Sequence, residues 1–340
     1  MRIAVVGDPF FPAEVMADAI RALGAGDELV LLDLGPEVAE GAEGIREYVG
    51  SPADVSAVLD AHEVLVVHAA PVTAEVLDAS PELRLVCCAR GGPVNVDVAA
   101  ARARGIEIVT APGKNAHAVA ELTLAFLVML ARRLRPAMDV LQHDGRIGES
   151  VLEGAAFMGA ELRGRTLGLV GYGHVGGLVA ELARGCGMHV SAFDPFVDGE
   201  RMARDGVRHA TLATLLAECE FVSLHARATA ENENLIGARE LAAMRPSSFL
   251  VNTARETLVD EGALRAALES GRLAGAALDV LRPPPDGGRH PLLDLPTLIV
   301  TPHIGGATLE TLQRGAAIVA EGVRRYREGK LVIESQENIA

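Results

Sequence analysis

Gly171, Gly173 and Gly176 spell GYGHVG directly after the apolar, β-branched run Thr166 to Val170, and the helical pattern VGGLVAELARGCG follows them. Glycines at this spacing permit a tight turn and let backbone N–H groups approach a pyrophosphate at the positive end of a helix. The order strand, turn, helix supplies the context that a bare GxGxxG lacks. Tyr172, His174 and Val175 belong to the same turn. Eighteen residues beyond Gly176 the next strand pattern ends at Asp194, in FDPF, where a carboxylate can accept hydrogen bonds from an adenosine ribose. No Arg follows directly to receive a 2′-phosphate, so the pattern predicts NAD rather than NADP.

Two further strand ends in the same stretch carry groups suited to acid/base and anion chemistry. Arg255 closes SFLVNTAR, and His303 closes LIVTPH just before Gly305 and Gly306. In an open parallel sheet ligands sit beyond the carboxyl ends of the strands, so a cation for a carboxylate and a titratable imidazole would face the nicotinamide end. His225 also ends a strand pattern and can line the cofactor cleft. The other histidines are expected to be structural.

These residues need a scaffold of parallel sheets, and the chain supplies that pattern from end to end. Short β-branched runs alternate with Ala/Leu-rich helical segments: IAVVG, ELVLLD, VLVVH, LRLVCC and IEIV in the first third, then TLGLV, HVSAF, FVSLH, SFLVNT, GAALDV and LIVTP. Their continuous apolar character predicts burial on both faces. Between the two series lies the longest helical pattern, Ala116 to about His143, which Pro136 should kink or restart. A weakly patterned stretch, Asp144 to Gly164, follows it. The reading is two α/β units, joined near residue 110.

At 340 residues, with 49% apolar and 23% charged side chains, the chain can bury two cores and is not a disordered tail. Acidic residues outnumber basic ones 46 to 31, giving a net charge of −15 with the basic residues scattered. Nucleic acid and anionic membranes are therefore not expected partners. Asp8 interrupts the opening MRIAVVGDPF too early for a signal peptide, and the most apolar stretch, Leu122 to Ala131, is about half a membrane span. A cytoplasmic protein is expected. Cys87, Cys88, Cys186 and Cys219 form no CxxC pair and have no metal-ligand spacing to His, so we expect buried thiols and no metal site.

With these motifs in place, the chain resembles the D-2-hydroxyacid dehydrogenases, including their 3-phosphoglycerate dehydrogenase branch. The resemblance rests on GYGHVG with Asp194, LHARAT (Leu224 to Thr229), MRPSSFLVNTARETLVDEGAL (Met244 to Leu264), GAALDV, HPLLDLPTLIVTPHIGG (His290 to Gly306), GGPVNVD (Gly91 to Asp97) and PGKNAHAVAELT (Pro112 to Thr123). It runs collinearly over about residues 85–315. It implies a Rossmann dinucleotide-binding domain, residues 111–305, inserted into a flavodoxin-like substrate domain made of 1–110 plus 306–340, and a homodimer through the dinucleotide-binding domain. By the same resemblance Arg255 anchors the carboxylate and keto oxygen of a 2-keto acid and His303 donates the proton. Arg90, Gly91, Gly92 and Asn115 belong to the substrate site. Ala226, Thr229, Thr253, Ala254, Asp279 and Gly305 join His225 and the glycine turn around NAD.

One departure concerns the acid/base group itself. The family carries a Glu at the sixth position of DVFEPEP, whose carboxylate orients the catalytic His. Here the stretch reads DVLRPPP, and Pro284 occupies that place. Asp286, two residues on, and Glu256, where a Gly is usual beside Arg255, are the candidate stand-ins. Arg227 replaces the usual Pro of HxPxT. The expected function is NAD-dependent interconversion of a 2-keto acid and a D-2-hydroxy acid. The rival is an NAD(H)-binding regulatory protein whose acid/base pair has decayed, a reading that Pro284 alone favours.

Overall fold

The computed structural model describes residues 1–37, 44–144, 151–284 and 286–330. Residues 145–150 of the weakly patterned stretch, and the part of the first domain beyond 330, lie outside the described residues. The chain divides into two compact units, Met1–Asn115 with the segment from Ala307 onward, and Ala116–Gly306.

Unit 1 is built on β1 (Arg2–Gly7), β2 (Glu28–Asp33), β3 (Val64–Val67), β4 (Leu85–Cys88) and β5 (Glu107–Thr110). All pair in parallel, in the order β2-β1-β3-β4-β5, the flavodoxin-like arrangement. Because side chains alternate along a strand, each central strand feeds two cores. Ile3, Val5, Val64, Val66, Leu85 and Cys87 point to one face, and Ala4, Val6, Leu65, Val67, Val86 and Cys88 to the other. The first face is covered by helices Ala13–Arg21 and Leu309–Arg327, the second being the returning segment. Gly322 allows that return, since a Cβ there would lie 2.9 Å from Val109 Cγ1 and 3.3 Å from Cys87 Sγ.

Unit 2 contains β6 (Thr166–Val170), β7 (His189–Phe193), β8 (Arg208–His209), β9 (Phe221–Leu224), β10 (Phe249–Asn252), β11 (Gly275–Leu278) and β12 (Leu298–Val300). They form one parallel sheet in the order β12-β11-β10-β9-β6-β7-β8, a doubly wound Rossmann sheet extended by one strand. The two-residue edge strand β8 is absent from the sequence expectation, because two exposed polar residues carry no alternation signal. The other strands appear where expected, but several end short of the apolar run. His225, Thr253 and Asp279 lie just past the last paired residue, on the turns where ligands of such sheets are met.

Pro136 restarts the long helical pattern. Helix Ala116–Ala131 stops, Arg133 takes a left-handed φ of 52°, and helix Leu134–Asp144 begins with the proline in its first turn, where no N–H is needed. All four cysteines are free; Cys87, Cys88 and Cys219 are buried, whereas Cys186 is half-buried. Burial pushes the Cys88 and Cys219 thiols up to about 11. Among the described residues no helix is long and apolar enough to cross a membrane.

Candidate functional site

The three glycines after β6 are required for three separate reasons. Gly171 has φ +99°, and a Cβ there would sit 2.5 Å from Ala226 N and 2.6 Å from the His225 carbonyl carbon. Gly173 is the N-cap of helix His174–Gly185, gives it no side-chain cap, and faces open space, with nothing within 4 Å of an added Cβ. Gly176 packs helix on strand so closely that a Cβ would lie 2.3 Å from Gly171 O. A tight turn, an uncovered helix N-terminus and close helix–strand packing together make a cradle that fits a pyrophosphate.

Asp194, at the end of β7, accepts hydrogen bonds from Tyr172 N at 2.7 Å and Phe196 N at 2.9 Å. Its carboxylate is thereby fixed beside the glycine turn. Tyr172 contributes only backbone to the turn: its ring is buried and its hydroxyl donates to Asp205 at 3.0 Å. Burial, and then that carboxylate, push the phenol up to about 12. His174 is exposed on the first helical turn and Val175 is half-buried behind it.

Beyond β9, His225 Nε2 lies 2.9 Å from Ser223 Oγ. Desolvation pushes the imidazole down to about 3, so His225 is neutral and serves as a wall of the turn. In the following loop Asn232 braces the backbone at Arg227 and Thr229. Asn232 accepts from Thr229 N at 2.8 Å and donates to Arg227 O at 2.7 Å.

Arg255 and His303 are each presented by a buried polar residue that the sequence reading missed or assigned otherwise. Asn252, the last residue of β10, donates to Arg255 O at 2.8 Å and accepts from Ala254 N at 3.0 Å, clamping the turn. Thr253 beside it bonds Thr123 at 3.0 Å. The exposed Arg255 guanidinium spends one donor on Ala254 O, leaving others for a ligand. Asp279, 1% exposed, accepts from Thr301 Oγ1 at 2.5 Å, Ile304 N at 2.8 Å and Gly305 N at 2.7 Å. One carboxylate thus gathers the loop after β12 and lifts the exposed His303 from it at φ +56°, a left-handed conformation that a non-glycine residue adopts only when its surroundings impose it. Gly305 must be glycine, since a Cβ would fall 2.8 Å from Asp279 Oδ2.

Neither carboxylate offered by the sequence as a partner for the histidine, Asp286 or Glu256, bonds His303. Asp286 is exposed and its carboxylate accepts from Gly288 N at 3.0 Å in its own turn. No bond joins Glu256 to the histidine, and among the described residues the His303 ring has no hydrogen-bond or ion-pair partner. Among the described residues the histidines that meet a carboxylate are His68, on Asp8, and His290, on Glu261.

In unit 1, Arg90 donates to Glu47 O at 2.6 Å and also to the Glu47 carboxylate. Gly91 and Gly92 follow it with N–H groups that donate to no protein acceptor among the described residues. Asn115 is half-buried at the end of this part of the chain.

Known proteins share this architecture. Residues 124–305 match the family described as D-isomer specific 2-hydroxyacid dehydrogenase, NAD binding domain. The chain is 40% identical over 278 residues to D-3-phosphoglycerate dehydrogenase of Mycobacterium bovis, covering 82% of this chain and 51% of that one. It is 37% identical to glyoxylate reductase of Korarchaeum cryptofilum, covering 77% and 78%. A solved structure from Thermus thermophilus superposes with TM-score 0.78 at 33% identity, covering 97% and 98%. The chain spans about half the length of the phosphoglycerate dehydrogenases it matches. A glycine cradle, a β7 carboxylate and a family match spanning both make unit 2 an NAD-binding domain, and the chain belongs to the D-isomer specific 2-hydroxyacid dehydrogenase family.

Proposed function

We propose that the protein interconverts a 2-oxo acid and a D-2-hydroxy acid, with NAD(H) as the redox partner. The observation that carries this reading is the Asp279-anchored loop, which holds His303 in a strained conformation at the same carboxyl edge that bears Arg255. Only β11 separates the strands leading to the two residues, a span of about 10 Å. The glycine turn lies along the same edge, after β6.

NADH, when bound, supplies the hydride that reduces the carbonyl carbon. The chain's own groups do the rest. Arg255 pairs with the carboxylate and draws electron density toward the keto oxygen; Arg90, Gly91, Gly92 and Asn115 are the substrate-binding residues proposed for unit 1. Protonated His303 gives its proton to the oxygen as the C–O double bond is lost, and takes it back in the oxidative direction. Asp279 and Asn252 are positioning residues, acting through His303 and Arg255. The domain of 111–305 is the cofactor domain in this reading, and the remainder carries substrate groups.

A screen of D-2-hydroxy acids with NAD and 2-oxo acids with NADH tests the proposal. Turnover of any supports it. NADH binding with no turnover of any acid would favour the regulatory reading.

Asp194 would repel a 2′-phosphate and lose its ribose hydrogen bond to NADP. We expect NADH to bind at least tenfold tighter than NADPH in competitive calorimetry, and equal affinities would remove Asp194 from the ribose site. Self-association through unit 2 is also proposed. Helix Leu134–Asp144 exposes Met138 (52%), Val140 and Leu141 (48%), an apolar face of the kind that association buries. Light scattering should give twice the chain mass, and Met138→Asp with Leu141→Glu should give one chain mass. A wild-type mass of one chain would refute the dimer.

A further inference from the structure

Two successive amides stitch the glycine turn to the end of β7. Gly171 N donates to Phe193 O at 2.8 Å, and Tyr172 N donates to Asp194 Oδ2 at 2.7 Å. The other Asp194 oxygen, Oδ1, faces Phe196 N at 2.9 Å. Among the described residues each carboxylate oxygen therefore keeps a lone pair unused. Where those lone pairs point depends on where the Tyr172 amide is held.

The Tyr172 side chain does the holding. Its ring is 1% exposed and packs in the core with Leu169, Val179, Met188, Val190 and Met202. A phenol in such surroundings needs a polar partner, and the hydroxyl donates to Asp205 Oδ2 at 3.0 Å. The Arg201 guanidinium lies over the same ring, 5.9 Å from its centroid.

Asp205 is itself fixed. It closes helix Gly199–Arg204, and its carbonyl accepts from Arg184 Nη1 at 2.6 Å. Arg184 stands in the last turn of helix His174–Gly185, which begins at the glycine turn. That guanidinium packs so closely that a Cβ at Gly206 would fall 2.7 Å from Arg184 Nη2. Asp205 thus ties both ends of the helix, taking the Tyr172 hydroxyl from the turn before it and the Arg184 guanidinium from its last turn. A phenyl or aliphatic side chain at position 172 would fill the same core. The hydroxyl adds one directed bond, and a directed bond selects a single placement where apolar packing tolerates several.

We propose that the Tyr172–Asp205 bond sets the coenzyme preference of the glycine turn: it fixes the Tyr172 amide, and the amide holds the Asp194 carboxylate in one orientation toward the adenosine ribose. Tyr172 and Asp205 are positioning residues, acting through Asp194, and the inference rests on the reading of Asp194 given above. Held in place, the carboxylate accepts from a ribose hydroxyl and cannot turn away from a 2′-phosphate. Released, it bonds NADH less well and repels NADPH less. Both changes narrow the same ratio.

Calorimetry of the full chain with NADH and with NADPH tests this, with Tm recorded for each variant. Tyr172→Phe keeps the ring and removes the hydroxyl; it should weaken NADH about fivefold and narrow the NADH-to-NADPH affinity ratio by about threefold or more. Asp205→Leu, which removes the acceptor, should do the same, whereas Asp205→Asn, which keeps an oxygen for the phenol, should retain the wild-type ratio. An unchanged ratio in Tyr172→Phe, with Tm lowered or not, would overturn the inference and leave the hydroxyl a strut of the core. A ratio narrowed as far in Asp205→Asn as in Asp205→Leu would assign the effect to the charge at position 205 and overturn it too. If Tyr172→Phe does not fold, the two Asp205 variants carry the comparison between them. Equal affinity of wild type for the two coenzymes would remove Asp194 from the ribose site and the inference with it, whereas a wild-type preference that Tyr172→Phe keeps would strike the inference alone.

Discussion

Replacing Arg255 with Lys should lower kcat/KM for 2-oxo acids by about 10²-fold, and with Ala by about 10³-fold, while NADH affinity stays within a factor of about two. The expectation comes from the geometry of the donor. A guanidinium presents paired N–H groups in one plane, which match a carboxylate two at a time; an ammonium offers one point of charge and no fork. Asn252 clamps the turn that carries Arg255, and among the described residues the guanidinium bonds only Ala254 O, so the planar face stays available for a ligand. Neither substitution removes a packing contact from the core, because Arg255 is exposed. Steady-state kinetics with fluorescence titration of NADH separates the effects. Near-wild-type turnover in Arg255→Lys would show that charge alone, or no contact at all, is required.

Removing the imidazole at position 303 should cost about 10²–10⁴-fold in kcat/KM, the usual contribution of a positioned proton donor. His303→Asn is the informative variant, because Asn tolerates the left-handed backbone that the Asp279 loop imposes and Ala does so less readily. No carboxylate faces His303 among the described residues, and by the resemblance drawn from the sequence Pro284 occupies the place of the orienting Glu. A carboxylate beside an imidazole favours its protonated form. Reduction needs that form and declines as it is lost with rising pH. Pro284→Glu should therefore move the alkaline limb of the reduction profile upward by about one pH unit, and the limb for oxidation, which needs the neutral base, in the same direction. Profiles of kcat/KM in both directions check this, with Asp286→Asn and Glu256→Gln as controls. A downward shift in either control would reveal a stand-in acid, and a Pro284→Glu profile superposing on wild type would show that position 284 does not address His303.

Both units were legible in the order of apolar runs, because a strand buried on both faces needs an unbroken stretch of apolar side chains and its alternation is local. The glycine turn was legible for the same reason. Gly171 at φ +99° and the close approaches at Gly176 are demands made within a few residues, and only one residue type meets them. Arg255 and His303 could be picked out because strand ends can be counted along the chain. What holds them could not. Asp279 gathers groups 22 to 26 residues away, so its role as the anchor of the His303 loop, beside the cofactor contact the resemblance implies, was not legible in the chain. Asn252 read as one more residue of a strand. Lys114 carried no reading of its own in the sequence, and is a buried cation with no hydrogen-bond partner among the described residues only because the fold of unit 1 brings Phe11 over it. Burial and hydrogen-bond partners are properties of distant segments meeting, so tertiary structure alone decided which polar side chains are satisfied and which are not.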